Sequence, residues 1–289
     1  MSKKKWSKRI KNWKELWRRF SKNKSAVVGL CIVVVFVFLA IFADLLVPYE
    51  TAITNDVMNK LQPPSAEHWF GTDGLGRDIF ARVIHGARYS LLVGLVTSLI
   101  AAVFGLLLAA AAAYYGGIVD TIICRSIDII TSIPALILAL CIVAAFGATT
   151  FNLFLALTII SIPGTARVVR SALLNIVNQE YIEAARACGT NTFRILTKHI
   201  LKNGIGTIIV TITMGIATKI LTAATLSFLG LGFQPPTPEW GAMLNEAREY
   251  IRTSGYFIIF PGIAIILSTM GINLMGDGLR DALDPKLKN

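Results

Sequence analysis

Residues 26–47 read AVVGLCIVVVFVFLAIFADLLV, a run whose only charge is Asp44 near its far end. At 1.5 Å of rise per residue, such a helix crosses the roughly 30 Å hydrocarbon layer of a bilayer. The whole chain agrees with that reading. Its 289 residues are 54% hydrophobic and only 16% charged, and the mean hydropathy is +0.63. That is more apolar surface than a water-soluble domain of this length can hide, so the sequence reads as an all-α integral membrane protein.

Upstream of this run, the first 24 residues hold eleven Lys or Arg against one Glu, which is +10 of the formal +11. The rest of the chain is nearly neutral, which removes the support for a nucleic-acid partner. Trp6, Ile10, Trp13, Trp17 and Phe20 recur at steps of four and three among these cations. The pattern predicts an amphipathic helix on an anionic membrane surface, and it favours an uncleaved anchor over a signal peptide. The positive-inside rule then puts the N-terminus in the cytoplasm.

Downstream, residues 48–89 are expected as an external segment, with PPSAEHWFGTDGLGRDIFARVIHGARYS at residues 63–90. Its glycines do not form a phosphate loop, because there is no G-x-x-x-x-G-K-[ST]. They read as turns, with Arg77 between Asp73 and Asp78 to tie them down. Further spans are expected at about 91–114, 127–146 with a kink at Pro134, 151 to 163 or somewhat beyond, 205–229 and 256–275. Six spans close the topology with both ends inside. The four cysteines show no C-x-x-C spacing, and His68, His85 and His199 lie far apart. Neither a metal site nor a disulfide framework is indicated. Trp69 and Trp240 are expected either as interfacial anchors or as docking residues.

One polar island stands between the fourth and fifth spans: Tyr181 to Asn203, YIEAARACGTNTFRILTKHILKN. From Arg167 to Lys202 there are six Lys or Arg and two Glu, which marks this side as cytoplasmic. Tyr181, Ala184, Ala185 and Cys188 fall at helical spacing and are mostly small, so one face can accept a close neighbour. Gly189 is placed to end that helix, and Asn191 to cap a second one through Phe193, Ile195, Leu196, Ile200 and Leu201. A bland linker and a partner-binding loop both fit the composition.

The motif EAARACG, followed by ILTKHILKN, resembles the EAA loop of binding-protein-dependent ABC importer permeases. HWFGTDGLGRDIFARVIHGARYSLLVG, AYYGG, the S-I-P of the third span, ARVVR, LSFLGLGFQPPTPEWGAML and GDGLRDALDPK are similar to the dipeptide, oligopeptide and nickel subgroup of that family, its "C" type above all. The resemblance implies a type I importer permease fold in the plasma membrane of a bacterium or archaeon. It also implies a division into a basic arm (1–24), an extra N-terminal span with the external segment (25–89), a permease core (90–277) and a tail (278–289).

The same resemblance implies partners: a second, related permease, two cytoplasmic ATPases that bind ATP and magnesium, and an external substrate-binding protein. The chain itself has no Walker A motif, so no cofactor and no enzymatic activity are expected of it. Glu183, Ala184, Ala185 and Gly189 are the implied ATPase-coupling residues. Cargo is expected to be a di- or oligopeptide, with nickel, metal chelates and glutathione-like compounds as the alternatives.

Three positions depart from the family pattern. Lys202 stands where relatives usually have proline, so the second helix can run straight into the fifth span. Ala223 stands where a glutamate is common. Lys219 is an ionisable residue deep in an apolar run, either lining the pathway or paired with the partner permease. A secondary transporter would show several paired ionisable residues across its spans, and an intramembrane enzyme a His or carboxylate pair within one. Neither pattern is present in the sequence.

Overall fold

The computed structural model describes residues 14–283. The basic arm before residue 14 and the tail beyond residue 283 lie outside the described residues. Five helices are long and apolar enough to cross a membrane, and a bent pair makes up to six. They are α1 (Lys24–Ile41), α2 (Ile79–Tyr115), the pair α3 (Gly117–Thr131) and α4 (Ala135–Phe146), α5 (Thr150–Val177), α7 (Leu201–Phe228) and α9 (Tyr256–Leu283). Two short helices complete the set, α6 (Glu180–Ala187) and α8 (Trp240–Ala247). Among the described residues there is no strand, only an isolated bridge between Thr72 and Asp78.

The bundle is assembled inside out relative to a soluble protein. On α2, the small residues Ala101, Gly105, Ala109 and Ala112 are buried, while Leu107 is 62% and Val103 57% exposed. In a bilayer, large apolar side chains lose nothing by facing lipid tails, whereas small ones let backbones approach closely. The contact of α1 with α9 follows the same logic. A Cβ added to Gly29 would lie 2.7 Å from the Gly271 carbonyl oxygen, so the two helices touch backbone to backbone. In sequence order α1 comes first and α9 last, and this contact closes the bundle.

The helices differ from their expected extents in instructive ways. α2 begins at Ile79, well inside the segment expected to be external, because Asp78 caps it by accepting from the Ala81 N–H at 2.8 Å. The run expected as one kinked third span is two helices meeting at 78°. Pro134 leaves helical geometry (ψ 128°) and starts α4, with the Leu138 N–H donating back to its carbonyl. Pro163 and Pro261, by contrast, lie inside continuous helices and are buried. Proline removes one backbone donor in all three places, and packing decides whether the helix survives it.

Candidate functional site

The island at residues 180–203 folds as a short helix, a tight reversal and a second helix. Glu180 and Glu183 lie in the first turn of α6 and Arg186 in its last, which matches the helix dipole at both ends. Gly189 has φ +70°, and the reversal is closed by Gly189 N–H to Arg186 O at 2.9 Å and Thr190 N–H to Ala185 O at 3.1 Å. This pair of bonds is a Schellman motif, and it satisfies carbonyls that the helix end would otherwise orphan. Asn191 then caps the next helix, its side chain accepting from the Phe193 N–H at 2.9 Å.

From Thr192 the chain is helical without a break to Phe228. Residues Ile195–Ile200 form a π-helical turn leading into α7. The wider turn brings Ile195 and Ile200, five positions apart, into the same core, and both are fully buried. There they meet Ile182 of α6, Leu173 and Val177 of α5, and Ala109 and Ala113 of α2. With Lys202 in place of a proline, nothing interrupts this helix, as expected.

Ile182 and the half-buried Ala185 form the inner face of α6, packed on that core. Glu183, Ala184, Cys188 and Gly189 are exposed, as is Phe193 at 73%. The small-residue face is therefore narrower than helical spacing implied, because Ala185 turns inward. One tie was invisible in the sequence. Arg186 stacks its guanidinium over the Tyr114 ring at 4.6 Å, which fastens α6 to the end of α2.

At the opposite end of the bundle, charged residues are buried instead of exposed. Asp73, Arg77 and Arg82 are all essentially inaccessible. Asp73 accepts from the Arg77 Nε at 2.7 Å and also pairs with Arg82, and Glu246 of the region around α8 pairs with both arginines. Arg77 and Asp73 do tie the glycine turns down, as expected. Asp78 has the separate task of capping α2 and binding the His68 ring at 2.8 Å. His85 is buried and bonds the Val47 carbonyl at 2.9 Å, and Arg88 reaches the Ala40 carbonyl and Asp44. These bonds clamp the end of α1 to α2.

Trp240 corrects its expectation. It is neither an interfacial anchor nor a docking residue, being 0% exposed, with its indole donating to the Val83 carbonyl at 3.0 Å. Trp69 remains 63% exposed against Phe80. Beside Trp240, Glu239 caps α8 by accepting from the Ala242 N–H at 2.9 Å and from Ser90. Full burial raises the Glu239 carboxyl above the usual carboxylate range, and these donors only partly offset that. No spacing signal announces Glu239 in the sequence. Ala223 is buried in the core with Val93 and Leu153.

Between these two ends runs a groove of about 590 Å³, walled by α4, α5 and α7. Thr211, Thr218, Thr222 and Thr225 line it from α7, and Ser161 and Thr165 from α5. Lys219 is also on its wall, 7% exposed, with Nζ 3.4 Å from the Gly215 carbonyl. Lys219 and the loop residues Glu183, Ala184, Ala185 and Gly189 are thus at separate places in the molecule. α7 connects them.

Similarity to known proteins follows the same division. Residues 79–289 match the family described as the inner membrane component of binding-protein-dependent transport systems, and residues 11–64 match the N-terminal membrane domain of oligopeptide transport permease C. The dipeptide transport system permease protein of Alkalihalophilus pseudofirmus is 47% identical over 97% of this chain and 92% of its own. The glutathione transport system permease protein of Escherichia coli O157:H7 is 46% identical over 96% of this chain and 91% of its own. Among solved structures, a chain of the MetNI methionine ABC transporter in an inward-facing conformation superposes with a TM-score of 0.60 at 20% identity, over 71% of this chain and 98% of that one.

Proposed function

This chain belongs to the family of inner membrane components of binding-protein-dependent transport systems, and on that premise we propose that residues 180–203 couple it to a cytoplasmic ATPase and that its cargo is a di- or oligopeptide. It is a membrane permease component of an ABC importer, a transport subunit rather than an enzyme. The coupling proposal rests on one observation. A capped, exposed helix bearing Glu183, Ala184 and Gly189 is rooted by Ile182, Ile195 and Ile200 in the core shared by three spans.

The mechanism follows from that rooting. A partner that closes on ATP and carries α6 with it pushes on α5 through Ile182, and on α7 through a helix with no joint between Thr192 and Phe228. A rigid helix transmits such a displacement along its length, and the groove between α5 and α7 changes which side it faces. The proposed complex further contains a related second permease that covers the open side of this groove, two ATPases and an external binding protein. Both termini and the 180–203 loop then face the cytoplasm, in agreement with the charge count.

The peptide reading is supported by the named substrates of the two relatives, a dipeptide and glutathione. Both are short peptides with free carboxylates. The test is uptake by the reconstituted complex. Peptide should be accumulated at the expense of ATP and should stimulate its hydrolysis, and a nickel chelate should do neither. Stimulation by the chelate alone would overturn the peptide reading. Uptake that persists without ATP would overturn the coupling.

A further inference from the structure

Lys219 is a cation without a counter-ion. It is 7% exposed, and none of the ion pairs among the described residues includes it. Its ammonium has three hydrogens to donate, and its protein acceptor is the Gly215 carbonyl at a long 3.4 Å. The space it occupies exists because residue 215 is glycine. A Cβ there would lie 2.9 Å from Nζ and 3.7 Å from the hydroxyl of Ser98. That hydroxyl is itself buried and has no hydrogen-bond partner. Two under-satisfied polar groups, from α7 and α2, therefore converge on one notch beside the groove.

Leaving a charge in such a place costs free energy that an anion in the groove recovers. The wall next to it carries the hydroxyls of Thr218, Thr222, Ser161 and Thr165, a surface suited to a hydrated, polar solute. A dry helix–helix seam presents small apolar residues instead. Lysine's flexible four-carbon stem lets the ammonium swing from the notch to the groove and back, which a fixed arginine fork does less readily.

We propose that Lys219, with Ser98 beside it, is a transient docking point for a carboxylate of the cargo as it passes along the groove, and so a determinant of which peptides are moved. This rests on the reading of the chain as a peptide permease. Lys219 binds the passing carboxylate and releases it when α7 moves, so the site is weak by design.

The test uses the complete reconstituted complex and two cargoes, a dipeptide and the same dipeptide with its C-terminus amidated, each at saturating binding protein. Lys219→Met should slow uptake of the free acid by roughly tenfold or more, the loss expected when one partner of a charge pair is removed. Uptake of the amide should change less than twofold, and Lys219→Arg should retain part of the preference. Equal loss for acid and amide would overturn the proposal. So would failure of the Met variant to co-purify with the partner permease, since Lys219 is then a structural pair.

A second measurement needs no transport and separates this failure from failure of the peptide reading. In the wild-type complex, acetate should slow reductive methylation of Lys219 relative to equal chloride, while the exposed Lys24 is labelled at an unchanged rate. Absence of that protection would overturn the carboxylate site whatever the cargo proves to be.

Discussion

The two ends of this bundle use charge in opposite ways. At one end Asp73, Arg77 and Arg82 are buried together and joined by Glu246, welding a loop of glycine turns to α8. At the other, Glu183 and its neighbours on α6 stay in solvent, and the loop is held by three isoleucines and one arginine–tyrosine stack. A buried ion network resists displacement because each partner removed strands another charge away from water. An apolar footing under an exposed helix holds position yet leaves the helix surface free. The first is built to stay still and the second to be gripped.

That contrast predicts where substitutions change stability and where they change transport. The largest loss of stability should come from Asp73→Ala, which leaves Arg77 and Arg82 short of a carboxylate. A cost of about 3–5 kcal/mol is expected, read as a large drop in melting temperature in detergent. A melt within a degree or two of wild type would break the comparison at its rigid end. Gly189→Val forces a β-branched residue to φ +70° and should cost about 1–2 kcal/mol locally. Membrane insertion should be normal and ATP-driven uptake lost.

Smaller effects sharpen the picture. Burial raises the Glu239 carboxyl, so the folded state holds its proton above the ordinary range that begins near 4.5. The stabilisation this proton provides is complete below that range and is lost as pH rises through the folded-state value. Glu239→Gln should remove this slope from a plot of melting temperature against pH. An unchanged slope would show that the buried cap does not titrate. Smallest in stability is Glu183→Arg, at an exposed position and expected within about 0.5 kcal/mol. It should nevertheless uncouple ATP hydrolysis from uptake, and normal uptake would remove Glu183 from the coupling surface.

Much of the coupling loop was legible in the sequence because its determinants are local. The positive φ at Gly189 and the cap at Asn191 are decided within four residues of chain, and the structure has both. Ala185 was read as part of the free face because helical spacing alone does not say which flank of a short helix meets the bundle. Its inward turn depends on Ile182 and the spans beneath. Arg186 on Tyr114 joins residues 72 positions apart, and no pattern in the sequence links them.

By itself, then, the sequence determined that the chain crosses a membrane as helices and where the loop between the fourth and fifth spans turns. Hydrocarbon thickness, helix rise and cap chemistry depend only on residue type and spacing. Tertiary structure alone decided the rest. Pro134 bends its run by 78° while Pro163 and Pro261 do not. Trp240 and Glu239 are buried although their loop looked superficial, and Lys219 shares a notch with Ser98. In each case the outcome is set by what the neighbouring helix offers, a backbone to lie against, a donor to satisfy or a space left by a missing Cβ.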